Sequence, residues 1–84
     1  GGNIKGVVVP DSVRTTVFAI QGTDTIASTF TDTANGQYLI RDIAGGTYSL
    51  YYVPNDIIHK DAQKSVTVIA GKTAIVDTVK LEKK

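Results

Sequence analysis

The feature that most constrains this chain is its punctuation. Short runs rich in Val, Ile and Thr are broken by clusters of Pro, Gly, Asn and Asp, at intervals of about 8–12 residues, as in sandwiches and small barrels. The runs are Ile4–Val9, Thr15–Gln21, Thr25–Thr31, Gln37–Ile43, Thr47–Val53, Ser65–Ala70 and Thr73–Leu81. Their β-branched side chains are stiff at χ1 and suit a pleated, half-buried surface. Good helix formers are scarce: the only leucines are Leu39, Leu50 and Leu81, and the only glutamate is Glu82. No stretch repeats apolar residues at helical spacing. The chain therefore reads as all-β, with about seven strands.

Alternation within the runs selects a core of Val8, Val17, Ala19, Tyr38, Ile40, Tyr48, Leu50, Val66, Val68, Val79 and Leu81. Val7, Val9, Phe18 and Ile20 have the opposite parity, which makes them candidates for an apolar protein-contact face. Tyr51 also opposes the core and is the candidate ligand contact, since an exposed aromatic can stack on a sugar ring. Asn35-Gly36 tolerates the positive φ of a tight turn, and Asp32 can accept a bond from the backbone two residues on. A hairpin between the third and fourth runs is expected there, and another at Gly71-Lys72. Ile57–Lys64 is the least regular segment, a loop or a single helical turn capped by Asn55. Lys5, on an expected edge strand, would block strand-to-strand aggregation.

Residues 3–82 of the 84 form one domain in this reading, with Gly1-Gly2 a scar or linker and Lys83-Lys84 a frayed charged tail. The chain has no Met, as expected of a module cut from a longer protein, and no Cys for disulfides or thiolate chemistry. A net charge of +1 leaves no basic footprint for nucleic acid. No apolar run approaches the ~20 residues of a membrane span, so no direct insertion is expected.

Catalytic material is sparse. His59 is the only histidine and lies near Asp56 and Asp61, so a hydrolase would have to use it as general base. No serine sits in a nucleophile-elbow context. One His and no Cys cannot furnish the three or four ligands of a zinc site. Asp32–Gly36 resembles a shortened calcium loop, but its third position, Ala34, offers no side-chain oxygen, and Asp24 and Asp42 would have to lie nearby. No cofactor or metal is expected. Asp77 shares a face with Ile75, Val79 and Leu81, where a carboxylate is costly. Three readings stand open: a bulge that turns Val76 in and Asp77 out, hydrogen bonds to the carboxylate, or an isopeptide bond to Lys5.

Gly22-Thr23, Thr31-Asp32 with Asn35-Gly36-Gln37-Tyr38-Leu39-Ile40, and Gly46-Thr47-Tyr48-Ser49-Leu50 form the most specific stretch of the chain. With Gly6-Val7-Val8 before it, and Val66-Thr67-Val68, Gly71 and Val79-Lys80-Leu81 after it, the pattern resembles the carboxypeptidase regulatory-like domain. That family is a transthyretin-like (prealbumin-like) seven-stranded β-sandwich, and Greek-key connections come with it. The resemblance implies a non-catalytic accessory module of a secreted or cell-envelope protein, as in Bacteroidetes-type surface lipoproteins. Such modules position or stabilise a neighbouring domain and sometimes mediate adhesion, so the partner is a neighbouring domain or a surface protein; Tyr51 leaves a glycan as the alternative. Many relatives carry a Gly-Tyr pair after the fifth strand. Here Asn55-Asp56-Ile57-Ile58 stands instead, so Ile57 or Ile58 is expected to fill the hole.

Overall fold

Gly2–Val9 forms the first strand, β1, and the rest of one sheet is arranged around it. A computed structural model describes all 84 residues. The later strands are β2 (Thr15–Gln21), β3 (Asp24–Phe30), β4 (Gln37–Ile43), β5 (Gly46–Pro54), β6 (Ala62–Val68), β7 (Thr73–Ile75) and β8 (Val79–Lys80). β1 pairs antiparallel with β4 on one side, and parallel with β7 and then β8 on the other. The second sheet has the order β3-β2-β5-β6 and is antiparallel throughout. The two sheets stack as a β-sandwich. Every residue of the sequence-derived core is buried except Val66, which is half-buried against it, and Ile4, Ile43 and Tyr52 join them.

The sheets are tied together by two tyrosines. Tyr38 of β4 and Tyr52 of β5 meet edge to face, with ring centroids 5.7 Å apart and planes at 70°. Their hydroxyls share a 2.7 Å hydrogen bond. Both rings are buried, and such a pair adds about 0.5–1.5 kcal/mol beyond the area it removes from water. Gly6 makes the space. It is the Cα partner of Tyr38, and a Cβ there would lie 2.5 Å from the Tyr38 hydroxyl. Tyr48 fixes the crossing from β4 to β5 by donating to the Ala44 carbonyl at 2.6 Å. No buried side-chain nitrogen or oxygen lacks a partner.

Several sequence expectations change. The Asp32–Gly36 turn forms, with the Ala34 amide donating to Asp32 Oδ1 at 2.8 Å and Gly36 at φ +75°. It does not close a hairpin, because β3 and β4 belong to different sheets, and it is an arch between them. Gly71-Lys72 likewise carries the chain from one sheet to the other. The seventh run is not one strand but two, which gives eight strands in all. β7 stops at Ile75, Val76 turns inward, Asp77 and Thr78 are exposed, and Val79 and Leu81 are buried. The chain therefore shifts parity between Val76 and Val79, and Asp77 reaches solvent. Lys5 is not on an edge, since β1 is flanked on both sides, and it too is exposed.

Neither terminus is loose. Gly2 is buried opposite Ile43, and the Gly1 carbonyl accepts the Gly71 amide at 3.1 Å. Lys83 pairs with His59, and the Lys84 amide donates to the Ile58 carbonyl at 2.8 Å. Gly1-Gly2 and Lys83-Lys84 thus make backbone contacts with the sandwich.

Removing one hydroxyl of the tyrosine pair leaves the other buried without a partner. Tyr38→Phe and Tyr52→Phe should each cost about 1–3 kcal/mol in urea unfolding. The double variant should cost less than their sum. Gly6→Ala should cost about 1–3 kcal/mol through overpacking. Burial pushes both tyrosines above the ordinary value, and for Tyr52 the bond to Tyr38 adds to the effect. The fold thus favours their neutral forms. That stability is complete below about pH 10 and is lost as pH rises beyond it. The thermal midpoint should fall above about pH 10, and fall less steeply in the double Phe variant.

Candidate functional site

The outer surface of the second sheet gathers the side chains that the core excludes. β2 presents Thr16, Phe18 and Ile20, and β5 presents Ser49, Tyr51 and Val53. Phe18 is the Cα partner of both Tyr51 and Ser28, while Thr16 is flanked by Phe30 and Val53. β6 adds Gln63, Ser65 and Thr67 beside Tyr51, Ser49 and Thr47. Phe30 is 55% exposed, Tyr51 38% and Val53 37%, and Phe18 and Ile20 are half-buried. None of these outward residues is charged. The result is a continuous face of aromatic, aliphatic and hydroxyl side chains. A cleft of about 270 Å³ opens at one end, lined by Arg14, Thr16, Phe30, Val53, Pro54 and Asn55.

The structure brings Tyr51, Phe18 and Ile20 together on this face. Val7 and Val9 lie elsewhere. They belong to β1, on the outer surface of the opposite sheet, where Val7 stands beside Gln37 and Val9 beside Lys80. The four apolar candidates therefore do not form a single contact face. Parity within a run separates inside from outside, but it does not say which sheet a strand joins. Phe30, Val53 and Arg14 complete the face and were not marked by sequence reasoning. Val53 shares the parity of Tyr51 in the same run. Phe30 could be placed only once the β2–β3 register was known.

His59 is held by structure. Its Nδ1 lies 2.7 Å from Asp56 Oδ2, while Asp56 Oδ1 accepts the amides of Ile58 at 3.1 Å and His59 at 3.0 Å. Asp56, rather than Asn55, accepts the local amides; residues 55–58 form a bend rather than a helical turn, and Ala62–Lys64, expected to be irregular, belong to β6. The histidine's backbone pairs with Lys83, and the Lys60 amide donates to the Glu82 carbonyl at 2.8 Å. Ile57 and Ile58 do not fill the expected hole, for they are 88% and 54% exposed. The hydrogen bonds around Asp56 fix the loop instead. Asp61 makes no ion pair with His59, whose acidic partner is Asp56. No group of three or more His, Asp or Glu side chains gathers anywhere in the molecule. Asp24 sits in the β2–β3 hairpin and Asp42 in the β4 bulge.

No protein-family profile matches this sequence, and no curated protein matches it. The fold is similar to that of one chain in the crystal structure of a type II cohesin–X-dockerin complex, a C-terminal interface mutant, from Acetivibrio cellulolyticus. The TM-score is 0.64 and the identity 18%, over 96% of this chain and 57% of the other. The likeness is one of fold. It supports a β-sandwich domain, and this chain spans a little over half the length of that neighbour.

The Asp56 carboxyl is held below the ordinary carboxylate range, first by the His59 amide and then by the His59 ring. The loop's stabilisation is therefore present above about pH 4 and is lost as pH falls through the lower value in the fold. In an NMR titration, the Asp56 carboxyl should protonate only below the ordinary carboxylate range of about pH 4, and the Ile58 and His59 amide resonances should move with that step. Asp56→Asn should remove that transition.

Proposed function

We propose that this chain is a non-catalytic interaction module of the carboxypeptidase regulatory-like, transthyretin-like kind, carried by a larger secreted or cell-envelope protein. Its work is to brace or present a neighbouring domain. The observation that carries this reading is the uncharged outer face around Phe18, Ile20, Phe30, Tyr51 and Val53. Exposed contiguous apolar surface on a small domain marks a contact site. Aromatic enrichment with depletion of charge is the composition of an interface centre. The fold neighbour is part of a complex between two protein modules, which supports a protein as the partner. The motif resemblance supports export and the accessory role. His59, bonded to Asp56 and paired through its backbone with Lys83, has a sufficient structural role, which supports a non-catalytic reading.

Tyr51 beside Phe18 also supports a second reading, in which the same face stacks on a glycan.

Ser49 lies in the middle of the face with a small side chain, so Ser49→Lys should leave the fold of the 84-residue chain within about 0.5 kcal/mol. In the parent polypeptide the same change should lower the thermal midpoint of the adjoining domain or its surface display. An unchanged parent would count against the proposal. Saturable glycan binding abolished by Tyr51→Ala would favour the second reading.

A further inference from the structure

The outward rows of the second sheet carry no charge, yet one cation stands at their end. Arg14 precedes β2, and its backbone is pinned on both sides. Its carbonyl accepts the Asn55 amide at 2.9 Å. The next residue, Thr15, donates through Oγ1 to the Val13 carbonyl at 3.1 Å. The Thr15 amide donates to Thr31 Oγ1, and its carbonyl accepts the Thr31 amide, each at 2.9 Å. The guanidinium carbon lies 4.2 Å from the centre of the Phe30 ring. The molecule's ionic contacts are His59 with Asp56 and the N-terminal amine with Asp42. Arg14 thus has no acid of its own.

A stacked guanidinium keeps its planar fork of donors free at the edge, pre-organised to grip a carboxylate through two parallel bonds. The adjoining cleft has polar walls in Thr16 and Asn55 and apolar walls in Val53 and Pro54. Its volume of about 270 Å³ falls below the roughly 300–1,000 Å³ of pockets that enclose a free small molecule. It suits one inserted side chain. A single cation is also too few for a nucleic-acid backbone, which calls for several.

We propose that this cleft is the anchor for a carboxylate of the protein partner, from an Asp or Glu side chain or a chain terminus set in an otherwise uncharged segment. The proposal deepens the interaction reading and rests on it. Arg14 supplies the bidentate contact and Phe30 holds it in place. Val53 and Pro54 pack on the methylenes behind the carboxylate, and the uncharged face accepts the rest of the segment.

The first test uses the 84-residue chain and simple probes in an NMR titration. Benzoate should shift the amides around Arg14 and Asn55 saturably, and bind at least about tenfold more tightly than its neutral isostere benzamide. Arg14→Gln should reduce benzoate to the benzamide level, while Arg14→Lys should restore part of the difference. Equal binding of the two probes, or binding indifferent to Arg14→Gln, overturns the anchor. Glucuronate binding more tightly than benzoate also overturns it, in favour of an acidic sugar.

A second test separates this proposal from the reading beneath it. In the parent polypeptide, Arg14→Gln should weaken the domain contact as Ser49→Lys does. If Ser49→Lys disrupts the contact and Arg14→Gln does not, the anchor fails and the interaction face stands. If neither does, both fail.

Discussion

The contact between Tyr38 and Tyr52 is the constraint on which the rest of the sandwich depends. One ring comes from each sheet, and the shared hydroxyl bond satisfies two polar groups that would otherwise be buried unpaired. The pair spaces the sheets and requires Gly6 in the central strand, where any side chain would meet the Tyr38 ring. With no cysteine available for a cross-link, this polar bridge inside an apolar core is what holds the β4 side of one sheet to the middle of the other. Its energy comes from packing and from a bond made in a low-dielectric setting, where leaving the bond unmade is expensive.

The same arrangement sets the character of the outer surfaces. Because Tyr48, Leu50 and Tyr52 point inward from β5, Ser49, Tyr51 and Val53 must point outward. β2 follows the same alternation, so Phe18 and Ile20 lie beside them. An aromatic-rich, charge-free face is therefore a consequence of two adjacent strands whose two sides are both apolar. The first sheet differs. Its outward residues include the exposed charges Lys5 and Arg41 among the apolar Val7, Val9, Leu39 and Ile75. The two outer faces thus differ in charge, the second sheet's outward rows having none.

Much of the fold is legible in the residues. Turn clusters divide the runs, and simple alternation identifies most of the core. What alternation misses are the places where parity slips. Ile43 is buried although Ile40 is buried too, because an extra residue bulges in β4 at Asp42, which adopts φ +54° and donates its amide to Asn3 Oδ1 at 3.0 Å. Asp77 escapes the core through a similar slip between β7 and β8. At the site, Tyr51, Phe18 and Ile20 were recognisable from parity alone. Phe30 and Arg14 depend on the register of β3 and on the path of the chain before β2.

By itself the sequence determined the all-β character, most of the turns and, away from the parity slips in β4 and after β7, which face of each run turns inward, because these follow from steric preferences and from the two-residue period of a strand. Only the tertiary structure decided which strands share a sheet. A turn such as Asp32–Gly36 has the same local chemistry whether it closes a hairpin or arches between layers. That choice rests on long-range packing of the core, of which the contact of Tyr38 with Tyr52 is one part. It is also what parts Val7 and Val9 from Phe18 and Ile20, and sets Arg14 beside Phe30.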